Sequence, residues 1–136
     1  MSRGLDNRNP GNIRRSRTRY KGEVRPSRDA AFKEFESVEW GYRAMFVLLY
    51  TYRKRNGCDT LRKMIGRYAP PSENDTGSYL RFVSSSAGIS PDVQVDTSDR
   101  RTMVAVVAAM SHIENGIRAR LSDVGRGWEL FVPHFL

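Results

Sequence analysis

A glutamate at the end of an apolar helix stands out on physical grounds in this chain, and by position alone it reads as a surface glutamate at a frayed helix end or as an acid. Glu114 directly follows Ile113 in the last turn of the most hydrophobic helical stretch, just before Asn115-Gly116. A carboxylate there faces the negative end of the helix dipole, and apolar neighbours penalise its charged form, so both effects raise its pKa. A carboxylic acid that stays protonated near neutral pH is the group that hands a proton to a departing sugar oxygen. Asp29, Glu36, Glu39, Glu73 and Asp75 would serve as partner carboxylates or equally as caps; Asp75, and Glu39 in a first helical turn, look like helix-start residues. Other chemistries find little to work with. Cys58 sits beside Gly57 in a short turn, with no histidine near it in sequence, and reads as an inert surface cysteine. His112 and His134 read as structural or surface histidines. One cysteine and two histidines make no zinc pattern and no internal disulfide, and there is no phosphate-cradling glycine loop. No metal and no cofactor are expected.

Four helices must position Glu114. The first starts at Ser37 and runs to about Arg55 before Gly57, with Trp40, Ala44, Val47, Leu48 and Tyr52 on one face. A second covers about Thr60 to Tyr68, capped by Asp59 or Thr60 and ended by Pro70-Pro71; Leu61, Met64, Ile65 and Tyr68 form its stripe. The third follows the Ser72–Thr76 turn, with Tyr79, Leu80 and Val83 inward and Gly88 beyond its end. The fourth runs from about Ser98 to Asn115, with Met103, Val106, Val107, Met110 and Ile113 inward and Gly116 as its stop. In the first 36 residues, Asn9-Pro10-Gly11-Asn12 and Tyr20-Lys21-Gly22-Glu23 are turn chemistry. Ile13 and the Ala31–Phe35 segment would supply the strands of a small hairpin. Residues 117–136 hold Trp128, Phe131 and Phe135 and should pack back on the body. The expected architecture is α+β and mainly helical, one domain over residues 1–136 with a small β-hairpin near the N-terminus.

The chain has 136 residues, 39% apolar and 28% charged, which is globular and long enough to need no disulfide or metal staple. No stretch approaches the roughly 18 apolar residues of a membrane span, and the N-terminus has no apolar signal core. Synthesis in a cytoplasm without a Sec signal is therefore expected. The net charge is +8 and unevenly spread: residues 1–28 carry nine basic and two acidic side chains, the remainder fourteen and thirteen. Such a basic, turn-rich segment serves DNA, RNA, anionic lipid or an anionic wall polymer through one Coulomb term, or is a solvated, partly flexible arm.

Arg3-Gly4-Leu5, with Asn9-Pro10-Gly11-Asn12-Ile13-Arg14, resembles the opening of a family of phage and prophage proteins. Three more blocks match in order: Phe32–Ser37 with Gly41–Ala44, Arg67–Thr76 with Tyr79, and Ile113–Ile117. The family is often labelled "structural protein P5" or virion protein and is common in Bacteroides-type genomes. Tyr68 stands where that pattern has tryptophan. A second resemblance is to glucosaminidases and lytic transglycosylases of the lysozyme superfamily. Asn9–Arg14 is similar to their strand entry after the catalytic turn, Phe32–Ser37 to their helix opening, Tyr68–Tyr79 to their tyrosine block and Ile113–Gly116 to the catalytic turn itself. The order is rotated, as a circular permutation would give, and permutation is tolerated where old termini lie close together.

The resemblance implies a lysozyme-like, circularly permuted domain that cuts peptidoglycan glycan strands, of muramidase, glucosaminidase or lytic transglycosylase type. Glu114 would be general acid and then base. A hydrolase needs a second carboxylate, for which Asp29 and Glu23 near the hairpin, then Glu36, are the candidates. Asn12, Tyr20, Tyr68, Tyr79 and Asn74 would bind substrate, with Trp40 on the groove. The protein would act as a monomer at the cell wall or periplasm, or within a virion among other virion proteins. The alternative is a non-catalytic virion structural protein, or a nucleic-acid or other polyanion binder, using the arginine-rich first 28 residues. If the permutation is right, Asn9–Ile13 must lie beside Glu114–Gly116.

Overall fold

A computed structural model describes residues 2–136. Along the chain run α1 (Arg3–Asp6), β1 (Glu23–Val24), β2 (Glu34–Phe35), α2 (Val38–Asn56), α3 (Leu61–Tyr68), α4 (Thr76–Ala87), α5 (Arg100–Asn115) and α6 (Leu121–Phe135). The architecture is mainly helical with one two-stranded antiparallel hairpin. The four expected helices are α2 to α5; Ser37, a good cap by type, precedes α2 without a side-chain cap bond, whereas the next three starts are capped. Thr60, Asp75 and Asp99 accept from the backbone N–H groups of Lys63, Ser78 and Thr102. Gly57, Gly88 and Gly116 close α2, α4 and α5 in the left-handed region that costs other residues energy.

Residues 117–136 do more than pack back. Val124, Trp128 and Phe131 recur at helical spacing and are buried along α6. Gly125 and Gly127 interrupt that pattern in the sequence, yet Gly127 is where α6 lies closest to α2. A Cβ there would come within 2.6 Å of Tyr42 Cβ and 3.1 Å of the Glu39 carbonyl. Beside this contact Phe46 of α2 meets Trp128 edge-on at 5.1 Å and Phe131 at 5.9 Å, each pair worth about 0.5–1.5 kcal/mol beyond its buried area. Cys58, expected at the surface, is buried at the start of the α2–α3 connection.

The hairpin forms with a different first strand from the one expected. Residues 34–35 pair with β1, Glu23 opposite Phe35 and Val24 opposite Glu34, instead of with Ile13. The Tyr20–Glu23 turn, with Gly22 at φ 79°, returns the chain beside β2. The Ile13 stretch meets the Ala31–Phe35 segment as expected but forms no strand: the Ile13 carbonyl accepts from the Lys33 N–H and the Arg15 N–H donates to the Ala31 carbonyl, both at 2.9 Å, around an isolated Arg14–Phe32 bridge.

The basic segment is built into the fold rather than trailing from it. Lys33, 1% exposed, donates to both Glu23 carboxylate oxygens at 3.0 and 3.1 Å and to the Thr18 carbonyl at 2.7 Å. Arg25 also holds Glu23, at 2.7 Å, and donates to the Ser16 and Thr18 carbonyls at 2.9 and 2.7 Å. The carbonyls of residues 16–18 thus find donors in two cations, and Glu23 neutralises part of that buried charge. Among the described residues no helix is long and apolar enough to cross a membrane. No group of three or more His, Cys, Asp or Glu among them is arranged to hold a metal ion.

The C-terminal end of α5 meets the start of the chain. Asn115 Nδ2 donates to the Pro10 carbonyl at 2.8 Å, and Ser2 Oγ donates to Asn115 Oδ1 at 2.7 Å. This is the juxtaposition that the rotated motif order demanded.

Candidate cleft around Glu114

The turn that faces Glu114 is tied down by hydrogen bonds within itself and to its neighbours. Asn9, fully buried, accepts from the Ile13 N–H at 3.0 Å and donates to the carbonyls of Ile13 and Lys33. Tyr68, from the end of α3, donates its hydroxyl to the Gly11 carbonyl. Asn12 is held at φ 49°, a left-handed conformation that asparagine tolerates better than most residues. From there its Nδ2 donates to Glu114 Oε1 at 2.9 Å. Tyr79, 5% exposed on α4, donates its hydroxyl to Glu114 Oε2 at 2.9 Å. Both carboxylate oxygens are therefore positioned, by donors 102 and 35 residues away in the sequence. Asn12 Oδ1 is buried without a hydrogen-bond partner, so the amide is held by its donor side, toward the carboxylate.

Burial pushes the Glu114 pKa up, and the Asn12 and Tyr79 donors, which favour the anion, only partly offset it. Glu114 opens onto a cleft of about 530 Å³. Residues 11–20 supply one lining segment, Leu48 and Tyr52 of α2 another, and Arg67 to Asn74 a third. Burial pushes the Tyr20 phenol up to about 12 and raises Tyr52 and Tyr68 as well, so all three stay neutral at working pH. They present apolar faces with hydrogen-bonding edges. Arg14 and Arg67 add positive charge, and Glu73 is the other carboxylate on the lining, 3.5 Å from Arg14.

Of the residues singled out in the sequence, Asn12, Tyr20, Tyr68 and Asn74 line the cleft with Glu114. Tyr79 lies behind Glu114 and orients it. Trp40 is not on the lining; it packs over Gly22 and against Arg43. Asp29 and Glu23 are not brought to the cleft either. Asp29 accepts two bonds from Arg3, both 2.7 Å, one from Asn7 and two from backbone N–H groups. The Arg3 guanidinium, followed by the Ala31 N–H, holds its carboxyl well below the usual range. Burial pushes Glu23 up, but its hydrogen bonds from Arg25 and Lys33 outweigh that and the net shift is downward. Carboxylates so saturated with donors are structural anions.

Sequence reasoning missed Leu48, Tyr52, Phe32, Arg14 and Arg67 on the lining. Leu48 and Tyr52 sit on the apolar stripe of α2, where one helical face serves both core and cleft. The tyrosine hydroxyl is the one signal that this stripe meets water.

Protein P5 of Pseudoalteromonas phage PM2 is 34% identical to this chain over 132 residues, which are 94% of this chain and 81% of that protein. No protein-family model matches the chain.

Proposed function

The chain belongs to the family of phage proteins that includes Protein P5 of Pseudoalteromonas phage PM2, and from that premise we propose that it is a phage or prophage protein, carried in or with a virion, whose cleft cuts the glycan strands of peptidoglycan. The observation that carries this is Glu114. It is a carboxylic acid with its pKa raised by burial, both oxygens positioned by Asn12 and Tyr79, opening on a cleft lined by neutral tyrosines. Protonated Glu114 gives its proton to the glycosidic oxygen as the bond to the sugar breaks. The carboxylate that results takes a proton from the incoming group, a water or a hydroxyl of the substrate itself. If water is the acceptor, a second carboxylate is required, and Glu73 on the lining fits that place better than Glu23 or Asp29. Aromatic faces of Tyr20, Tyr52 and Tyr68 hold the sugar rings, with Asn74 at the rim. The contact between Asn12 and Glu114 supports a lysozyme-like, circularly permuted domain, and the reading has it span residues 1–136 and work as a monomer at the cell wall.

The test is release of soluble fragments from purified peptidoglycan by the wild type and by Glu114→Gln. General acid catalysis is worth roughly 10²–10⁴ in rate, so the variant should lose at least that factor while keeping its unfolding midpoint. Full activity in the variant removes Glu114 from the reaction, and an inactive wild type removes the reaction.

Family membership favours a second reading, in which the chain is a virion component without catalysis that binds a polyanion through its arginine-rich first 28 residues. Exposed Arg15, Arg17 and Arg19 support it.

A further inference from the structure

The segment that walls the cleft has a second face. Residues 14–19 are all exposed, but Arg14, Ser16, Thr18 and Tyr20 line the cleft, whereas Arg15, Arg17 and Arg19 do not. This is the alternation of an extended chain, whose successive side chains point to opposite sides. Despite a bend at Arg17, residues two apart on one side stand about 7 Å from each other. No carboxylate among the described residues forms an ion pair with any of the three. The row is presented on a firm base, because Lys33 and Arg25 hold the Ser16 and Thr18 carbonyls from within. At the Arg15 end of this face lies a separate cavity of about 410 Å³, which shares Ser16 with the cleft and where Arg15, Arg25 and Lys33 face a single carboxylate, Glu23.

We propose that this outer face binds the phosphodiester backbone of an extended nucleic-acid strand, independently of the cleft and without reading its sequence. The chemistry favours this ligand on three counts. A guanidinium offers parallel donors that fit a phosphate. Exposed arginine gains little from an isolated carboxylate but gains per contact from a polyphosphate, through released counterions. The cavity at the Arg15 end of the face has no aromatic lining to stack a base, which leaves backbone contact alone. A row one residue wide suits one strand, at about one arginine per nucleotide step. The inference gives the polyanion reading its surface and does not depend on Glu114.

The full chain is titrated against a fluorescent oligothymidylate across a salt series, alongside two variants, Arg15→Gln/Arg17→Gln/Arg19→Gln and Arg14→Gln/Arg67→Gln. Three phosphate contacts predict a log–log salt slope of about −2 for the wild type, at ~0.7 per phosphate on a single strand. The triple variant should bind at least ~10-fold more weakly with a slope near zero, while the cleft double variant stays within ~2-fold of the wild type. Arg→Lys at the same three positions should keep the slope, which guards against a misfolded triple variant. The proposal is overturned if the triple variant keeps affinity and slope, if the cleft variant loses as much, or if a polyol-phosphate wall polymer is bound and the oligonucleotide is not.

Discussion

Replacing Glu23 by glutamine separates a structural role from a catalytic one. The carboxylate is 4% exposed and accepts from Lys33 Nζ at 3.0 and 3.1 Å, Arg25 Nε at 2.7 Å and the Tyr20 N–H at 3.1 Å. Glutamine keeps the shape but removes the charge, and its single acceptor oxygen cannot serve both Lys33 and Arg25, so the buried Lys33 ammonium loses its counter-charge. Breaking a buried pair from one side costs about 3–5 kcal/mol. At this chain length 1 kcal/mol moves the unfolding midpoint by about 3–5 °C, so a fall of about 10–20 °C is expected. Lys33→Met should cost less, about 2–3 kcal/mol, because Glu23 keeps Arg25 and the Tyr20 N–H. The double variant should be more stable than Glu23→Gln alone, since no uncompensated ammonium remains buried. The pH dependence follows from the lowered Glu23 pKa. Its contribution is present above the ~4.3 of a free glutamate and is lost as pH falls through the lower folded value. Urea unfolding at several pH values measures all of this, and glycan cleavage measured well below the midpoint should persist per folded molecule. A Glu23→Gln protein of normal stability that no longer cleaves would refute the structural assignment and place Glu23 in the reaction.

Asn12→Ala removes a donor that favours the Glu114 anion, so Glu114 should ionise at higher pH and cleavage should extend further into alkaline conditions; an unmoved pH profile would show that the 2.9 Å contact does not tune the acid. Gly22→Ala places a methyl at φ 79° against the Trp40 side chain and should destabilise by well over ~1 kcal/mol, read as a lower unfolding midpoint with the wild-type denaturant slope.

The helices were legible because their information is local. Thr60, Asp75 and Asp99 cap and three glycines stop segments whose apolar stripes lie within a few turns. The position of Glu114 at the end of such a stripe was legible for the same reason, but by itself it did not tell a buried acid from a surface glutamate. Its partners were not local: Asn12 lies 102 residues away and Tyr79 35. Only the rotated order of the motifs pointed to Asn12 beside Glu114, and Tyr79 was expected to touch substrate when it lies behind the acid. The roles of Glu23 and Asp29 could not be read because sequence shows that a carboxylate exists and not which donors have claimed it. The expected pairing of the Ile13 stretch is present only as an isolated bridge with its flanking hydrogen bonds, and β1 was missed because strands of two residues carry no periodicity and a turn at Gly22 with the Lys33–Glu23 pair sets their register. In α6 the glycine that permits close approach to α2 is also the one that hides the helix.

The central claim is that Glu114 is protonated when the protein acts, and a side-chain carboxyl titration by ¹³C NMR against the pH dependence of glycan cleavage tests it most directly. Burial favours the protonated form in the folded chain, so this group's stabilising contribution is largest at low pH and is lost as pH rises through the folded value. The Glu114 carboxyl should titrate above the ~4.3 of free glutamate, and cleavage should fall at high pH with the same midpoint. A carboxyl that titrates at the free value, or cleavage that continues undiminished once Glu114 is ionised, would contradict the account.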